Sequence, residues 1–306
     1  MSQHGMNRRH VRHTDGDHAK NSIVSRYFQS LKNRQPLPIA ITAIVGVIVA
    51  ALIAWGIFNA MVYLEDMREA KAMSEIATPS TNAQHSNNTG DDDPNEAKDP
   101  NAGLGYNINW GEYRDVNPEI YAWLYVPGTG INLPVAQHAG QDDVYYLRHN
   151  YRGEPSALGA AFSEMRNSQD FSDPVTVIYG HDAYSVFKNL HDFEDASFFN
   201  EHDKFYVYTP NNRMYTYRIV AAYRTDDSHI LNTNDTTSES GRQQYYNKVM
   251  HPTDSIQHVR EGVNLQAGEK ILQLSTCMLN ELPGANPHRY IVTGVLESEQ
   301  DAKAQQ

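Results

Sequence analysis

The chain has 306 residues, a formal net charge of −12 and a single cysteine. One cysteine excludes an intrachain disulfide framework and a four-cysteine zinc site. Charge is polarised: residues 1–38 hold seven Lys/Arg against two Asp, giving +5 and leaving −17 for residues 39–306, which argues against nucleic-acid binding by the main domain.

Residues 1–38 read as a basic cytoplasmic tail, in which His4, His10, His13 and His18 lack compact metal-ligand spacing. From Ile39 to Leu64 no residue is charged. At about 1.5 Å per residue this run gives roughly 39 Å of helix, enough to cross a hydrocarbon core of about 30 Å. Arg26, Lys32 and Arg34 precede it while Glu65, Asp66 and Glu69 follow, so the positive-inside rule places the N-terminus in the cytoplasm and the rest of the chain outside. The run exceeds an ordinary signal-peptide core and no clear small-x-small cleavage site follows, so it reads as an uncleaved signal anchor.

Residues 65–102 read as a juxtamembrane segment and a flexible acidic linker. Glu65 to Ala77 is rich in helix formers and continues the membrane helix outward. Thr78 to Pro100 has almost no apolar residue to bury, so it is expected to stay disordered as a tether with an r.m.s. span of very roughly 27 Å.

A globular domain is expected over residues 103–298, followed by a polar tail at 299–306. Its pattern is mainly β. Strands are predicted at Tyr121–Val126, Ile131–Val135, Ala160–Ser163, Val175–Tyr179, Phe205–Thr209, Met214–Tyr223, Ile271–Thr276 and Tyr290–Leu296, with turn chemistry in PGTG (127–130) and PNNR (210–213). Short strands spaced in this way point to a closed or nearly closed barrel. Few helices are expected: a turn beginning in Asn117–Trp123, one or two short helices in Ser185–Phe199, and one at Gly241–Met250 in a long insertion that shapes a groove.

The candidate chemistry gathers at strand ends. Ile271–Thr276 runs into Cys277, and the next strand begins near Arg289. A thiol is nucleophilic as thiolate, which a nearby cation or imidazolium favours. VTVIYGH at 175–181 ends in Gly180 and His181, an imidazole able to carry protons near neutrality. Cys277, His181 and Arg289 together suggest acyl transfer through a thioester, with the guanidinium at the substrate carbonyl or oxyanion. A structural reading stays open: a buried, unreactive cysteine in a membrane-anchored adhesion or scaffolding domain.

Beyond this, the domain resembles the class B sortases over nearly its whole length. The likeness rests on NPEIYAWLYVPGTGINLPV (117–135), YYLRHN (145–150), VIYGHDAYSVFKNL (177–190), FFNEHDKFYVYTP (198–210), LSTC (274–277) and RYIVTGVL (289–296), in that order. The resemblance implies a closed mixed β-barrel and a membrane-anchored cysteine transpeptidase that needs neither metal nor cofactor. Carried over by motif, Cys277 matches the nucleophile, His181 the family histidine and Arg289 the arginine, while Leu147, Ser275 and Thr276 match positions lining the sorting-signal groove. The implied partners are a surface-protein or pilin sorting signal and, as amine, a lipid-linked peptidoglycan precursor or a pilin lysine. A cell-wall cysteine peptidase is the competing enzyme, but such hydrolases usually place Cys before His, and here His181 precedes Cys277 by 96 residues. Three departures bear on substrate choice: Gln273 where the family often has Thr, Met278 where an acidic residue is common in some members, and the turn LNELPGANPH.

Overall fold

The computed structural model describes residues 23–33, 36–76, 108–277 and 287–302. The first part of the basic tail, the linker from 77 to 107, the turn 278–286 with Met278, and the last four residues lie outside the described residues. The chain divides into two compact units, residues 1–62 and 63–306. The first holds α1 (Ile23–Lys32) and most of α2 (Pro36–Ile76), which is long and apolar enough over Ile39–Ala72 to cross a membrane. Helix formers from Glu65 onward carry α2 past the apolar run, as the sequence predicts.

The second unit opens with α3 (Trp110–Val116), started by the Asn109 side chain accepting from the Glu112 amide. It ends at Asn117, and this corrects the expected helical turn at Asn117–Trp123. Asn117 Oδ1 accepts from the Glu119 amide, and its Nδ2 donates to Tyr146 Oη and the Tyr151 carbonyl. The chain is thereby turned out of the helix, and the aromatic and β-branched run that follows forms β1 (Ile120–Val126).

β1 makes a hairpin with β2 (Ile131–Ala136). Then come β3 (Ala161–Phe162), β4 (Val175–Tyr179), α4 (Ala196–Glu201), β5 (Lys204–Thr209) and β6 (Arg213–Asp226). The insertion after β6 carries α5 (Ile230–Thr233), α6 (Glu239–Met250) and β7 (Gln257–Val259), and β8 (Ile271–Cys277) and β9 (His288–Asp301) complete the order. Short 3-10 turns occur at Tyr145–Leu147 and Lys188–Glu194.

Neighbouring strands run β5-β1-β2-β3-β4-β8-β9-β6, and β5 pairs again with β6, so eight strands close a barrel with β7 attached to β6. β2–β3 and β4–β8 are parallel and the remaining pairings antiparallel, which is the expected closed mixed barrel. All eight predicted strands form. The three-residue β7 and four-residue α5 were too short to give a periodic signal. β9 runs to Asp301, three residues into the stretch read as a polar tail. Its exposed end is held by pairing with β6, where Arg213 bonds Glu299 and Asp301.

One outer face of this barrel positions the site. Val175 and Val177 of β4, Ile271 of β8, Ile291 and Val295 of β9 and Tyr223 of β6 pack under Tyr245, Tyr246, Val249 and Met250 of α6. The insertion is therefore anchored on the strands that lead to the candidate chemistry, with α6 begun by Ser238 Oγ accepting from the Gly241 amide.

Candidate active site

Strand register pairs Cys277 with Arg289 and keeps β4 and β8 in step to within two residues of His181 and Cys277. β4 and β8 are parallel with Val175↔Ile271 through Tyr179↔Ser275, and the Gly180 amide extends this ladder to the Ser275 carbonyl at 3.1 Å. Every pair is offset by 96, the separation of His181 and Cys277. On the other side of β8, Cys277 pairs with Arg289, which in turn pairs with Thr225 of β6. With neighbouring strands about 4.8 Å apart, Cys277 and Arg289 are adjacent across the β8–β9 pairing, and His181 follows β4 by two residues.

His181 is held from outside its own strand. Its Nε2 lies 2.9 Å from the Leu147 carbonyl. A carbonyl only accepts, so Nε2 carries the hydrogen and Nδ1 is the nitrogen left to exchange a proton. Gly159 packs against the same ring: a Cβ there would sit 2.6 Å from the Tyr146 carbonyl oxygen and 2.9 Å from His181 Cδ2, at a φ of +66°. Gly159→Ala is therefore expected to cost at least about 1 kcal/mol through left-handed strain and crowding, with transfer activity falling further than stability. Thermal melts and turnover measured on the same preparation check this. Gly180 is needed for space rather than for a turn, since a Cβ would lie 2.5 Å from Val186 Cγ1.

The loop after His181 is tied down. Asp66, in the part of α2 that belongs to the second unit, accepts from the Tyr184 and Ser185 amides at 2.8 and 2.7 Å. Burial pushes the Asp182 carboxyl above its usual range, opposed by Lys188 and His191. At the end of β4, burial and the Glu164 carboxylate push the Tyr179 hydroxyl well up.

The groove candidates are placed differently from one another. Leu147 is half-buried and supplies its carbonyl to His181. Ser275 and Thr276 are both buried, and Thr276 pairs with Tyr290 across β8 and β9. The hydroxyls of Ser275, Thr276 and Tyr290 have no hydrogen-bond partner among the described residues. Arg289 forms an ion pair through Nε with Asp227 at the start of the insertion. A cavity of about 560 Å³ lies next to this end of β9, lined by Thr225, Ile230, Tyr245, His288 and Ile291 among others.

Residues 124–297, more than half of the chain, match the family model described as the sortase domain. A Listeria monocytogenes protein named Sortase B is 30% identical over 180 residues, covering 56% of this chain and 70% of that protein. The chain is a class B sortase.

A Staphylococcus aureus Sortase B is 26% identical over 164 residues, 53% of this sortase and 64% of that protein. Among solved structures, a Streptococcus pyogenes class B sortase involved in pilus biogenesis is 28% identical with a TM-score of 0.52, covering 62% of this chain and 98% of the other.

This sortase supports its histidine through a network that the sequence motifs do not flag. Glu119 accepts from Tyr146 Oη at 2.6 Å, the Ala139 amide at 2.9 Å and His138 Nδ1 at 3.0 Å, fixing the turn that presents the Leu147 carbonyl. Burial raises the Glu119 carboxyl, but the Ala139, Tyr146 and His138 hydrogen bonds outweigh it and hold the group below its usual range. A depressed carboxyl contributes stability above its unfolded value of about 4.3, and that contribution disappears as pH falls through the folded value. Glu119→Gln should therefore cost about 1–2 kcal/mol near neutrality. Urea unfolding should show the gap to the wild type narrowing as pH falls below the unfolded carboxyl value.

Proposed function

We propose that this sortase cleaves a C-terminal sorting signal after threonine through a Cys277 thioester and transfers the acyl group to an amine of a cell-wall precursor. Cys277 sulfur attacks the threonine carbonyl, and the developing oxyanion is met by backbone N–H groups and Arg289. His181 gives a proton to the departing amine as the C–N bond breaks. The incoming amine then attacks the thioester, His181 takes its proton, and the thiolate leaves. One amide replaces another, so the exchange needs no external energy source.

The observation that supports this reading is the pairing of Cys277 with Arg289, together with a parallel β4–β8 register whose last pair lies two residues before His181 and Cys277. The apolar helix supports a membrane anchor, with the N-terminus cytoplasmic and the catalytic domain outside. Sorting signal, wall precursor and enzyme are then confined to one layer, which raises their effective concentration. Similarity to a sortase involved in pilus biogenesis favours a second reading, in which a pilin lysine is the amine.

A peptide of the Asn-Pro-x-Thr-Asn pattern that the signals of better-known class B sortases resemble, here Asn-Pro-Gln-Thr-Asn, supplied with triglycine or with a lysine-containing peptide, separates the alternatives. Transfer to triglycine fits wall anchoring, and transfer to the lysine side chain fits pilin assembly. Formation of the hydrolysed acid alone would make this a peptidase.

A further inference from the structure

One partner of Arg289 lies outside the barrel. In Asp227 the insertion delivers a carboxylate to Arg289 Nε, the inner edge of the guanidinium, which fixes the plane in which that group can turn. Both side chains are about one-third exposed, so the pair adds little to stability. The segment carrying Asp227 is nevertheless clamped. The buried carboxylate of Glu164 bonds His229 Nε2 at 2.8 Å and Arg166 Nε at 3.4 Å, and Arg166 Nη1 donates to the Leu231 carbonyl at 3.0 Å. Ser228 closes the turn by donating its amide to Asp226 at 2.9 Å. Position 278, where some members carry an acidic residue beside the nucleophile, is Met in this chain.

We propose that Asp227 is a positioning residue for Arg289: it orients the guanidinium and offsets part of its charge at Cys277, making the start of the insertion part of the catalytic apparatus. The proposal rests on the transpeptidase reading above. It makes two predictions of opposite sign. Without Asp227 the guanidinium loses its hold at Nε, so transfer from the Asn-Pro-Gln-Thr-Asn peptide to triglycine should fall about tenfold. The part of its charge that Asp227 offsets is released, so more of Cys277 is thiolate, and alkylation by iodoacetamide at neutral pH should speed up about threefold.

The test measures both rates in the full chain for Asp227→Ala, the isosteric Asp227→Asn and Asp227→Glu, each also in an Arg289→Ala background. Asp227→Ala and Asp227→Asn should move the two rates in opposite directions, and Asp227→Glu should return both to within about twofold of wild type. No Asp227 substitution should have a further effect once Arg289 is gone. Wild-type rates in Asp227→Ala, two rates falling together, or an alkylation change that persists without Arg289 would overturn the proposal. Full transfer by Cys277→Ala instead overturns the parent reading, and this proposal with it. Loss in Arg289→Ala beside normal rates in Asp227→Ala removes the positioning role alone.

Discussion

Cys277→Ala abolishes transfer, with an expected loss of more than about 10⁴-fold in the rate of amide product formation, because the step it removes has no substitute among the neighbouring groups. Serine does not rescue it, since a hydroxyl at its ordinary acidity is far less nucleophilic than a thiolate. The fold should survive. β8 is held by backbone pairing on both sides and by the buried Ile271, Leu272 and Leu274, all at least 99% buried. Chromatographic assay of the amide product, with a thermal melt as control, separates loss of chemistry from loss of structure. Residual transfer above about 1% of wild type would count against Cys277 as the nucleophile.

His181→Gln is expected to lower transfer by about 10²–10⁴-fold while leaving peptide binding nearly unchanged. The Nε2 amide donor of glutamine has the reach to replace the bond from His181 Nε2 to the Leu147 carbonyl, so the local packing is kept while proton transfer is lost. Both half-reactions should slow, because the same imidazole protonates the departing amine and deprotonates the incoming one. Single-turnover kinetics of acylation, and separate discharge of the thioester by triglycine, check each half. A variant slow in only one of them would assign the other proton transfer to a different group.

Much of the barrel was legible in the sequence because its strands are short, aromatic or β-branched runs between turn residues, and the closing order follows from their pairing. The link between His181 and Cys277 was less visible. Their 96-residue separation is the register of a parallel pair, but a parallel register cannot be read from spacing until the two strands are known to be neighbours. From the sequence the insertion reads only as a segment that shapes a groove, since the contacts that give it further meaning are long-range. Asp227 lies 62 residues from Arg289, and Glu164 comes from the segment after β3.

Gln273 illustrates the same limit. As a sequence departure it suggested altered specificity. In the fold it is fully buried, accepts from Tyr245 Oη at 2.5 Å and donates to Thr293 Oγ1 at 3.0 Å, so it ties α6 to the strand carrying Cys277. A buried amide with both ends satisfied is tolerated where an unpaired one is costly. Its partner Tyr245 belongs to an element whose docking no local pattern announces.

The central claim is a covalent acyl-enzyme on one sulfur. Intact-mass analysis of the full chain, incubated with the Asn-Pro-Gln-Thr-Asn peptide and no added amine, tests it most directly. The account predicts a mass increase equal to the threonine-ended peptide acid less one water, mapped to Cys277, labile to hydroxylamine and converted to amide product when triglycine is added. Amide formation with no adduct, or an adduct on a residue other than Cys277, would contradict it.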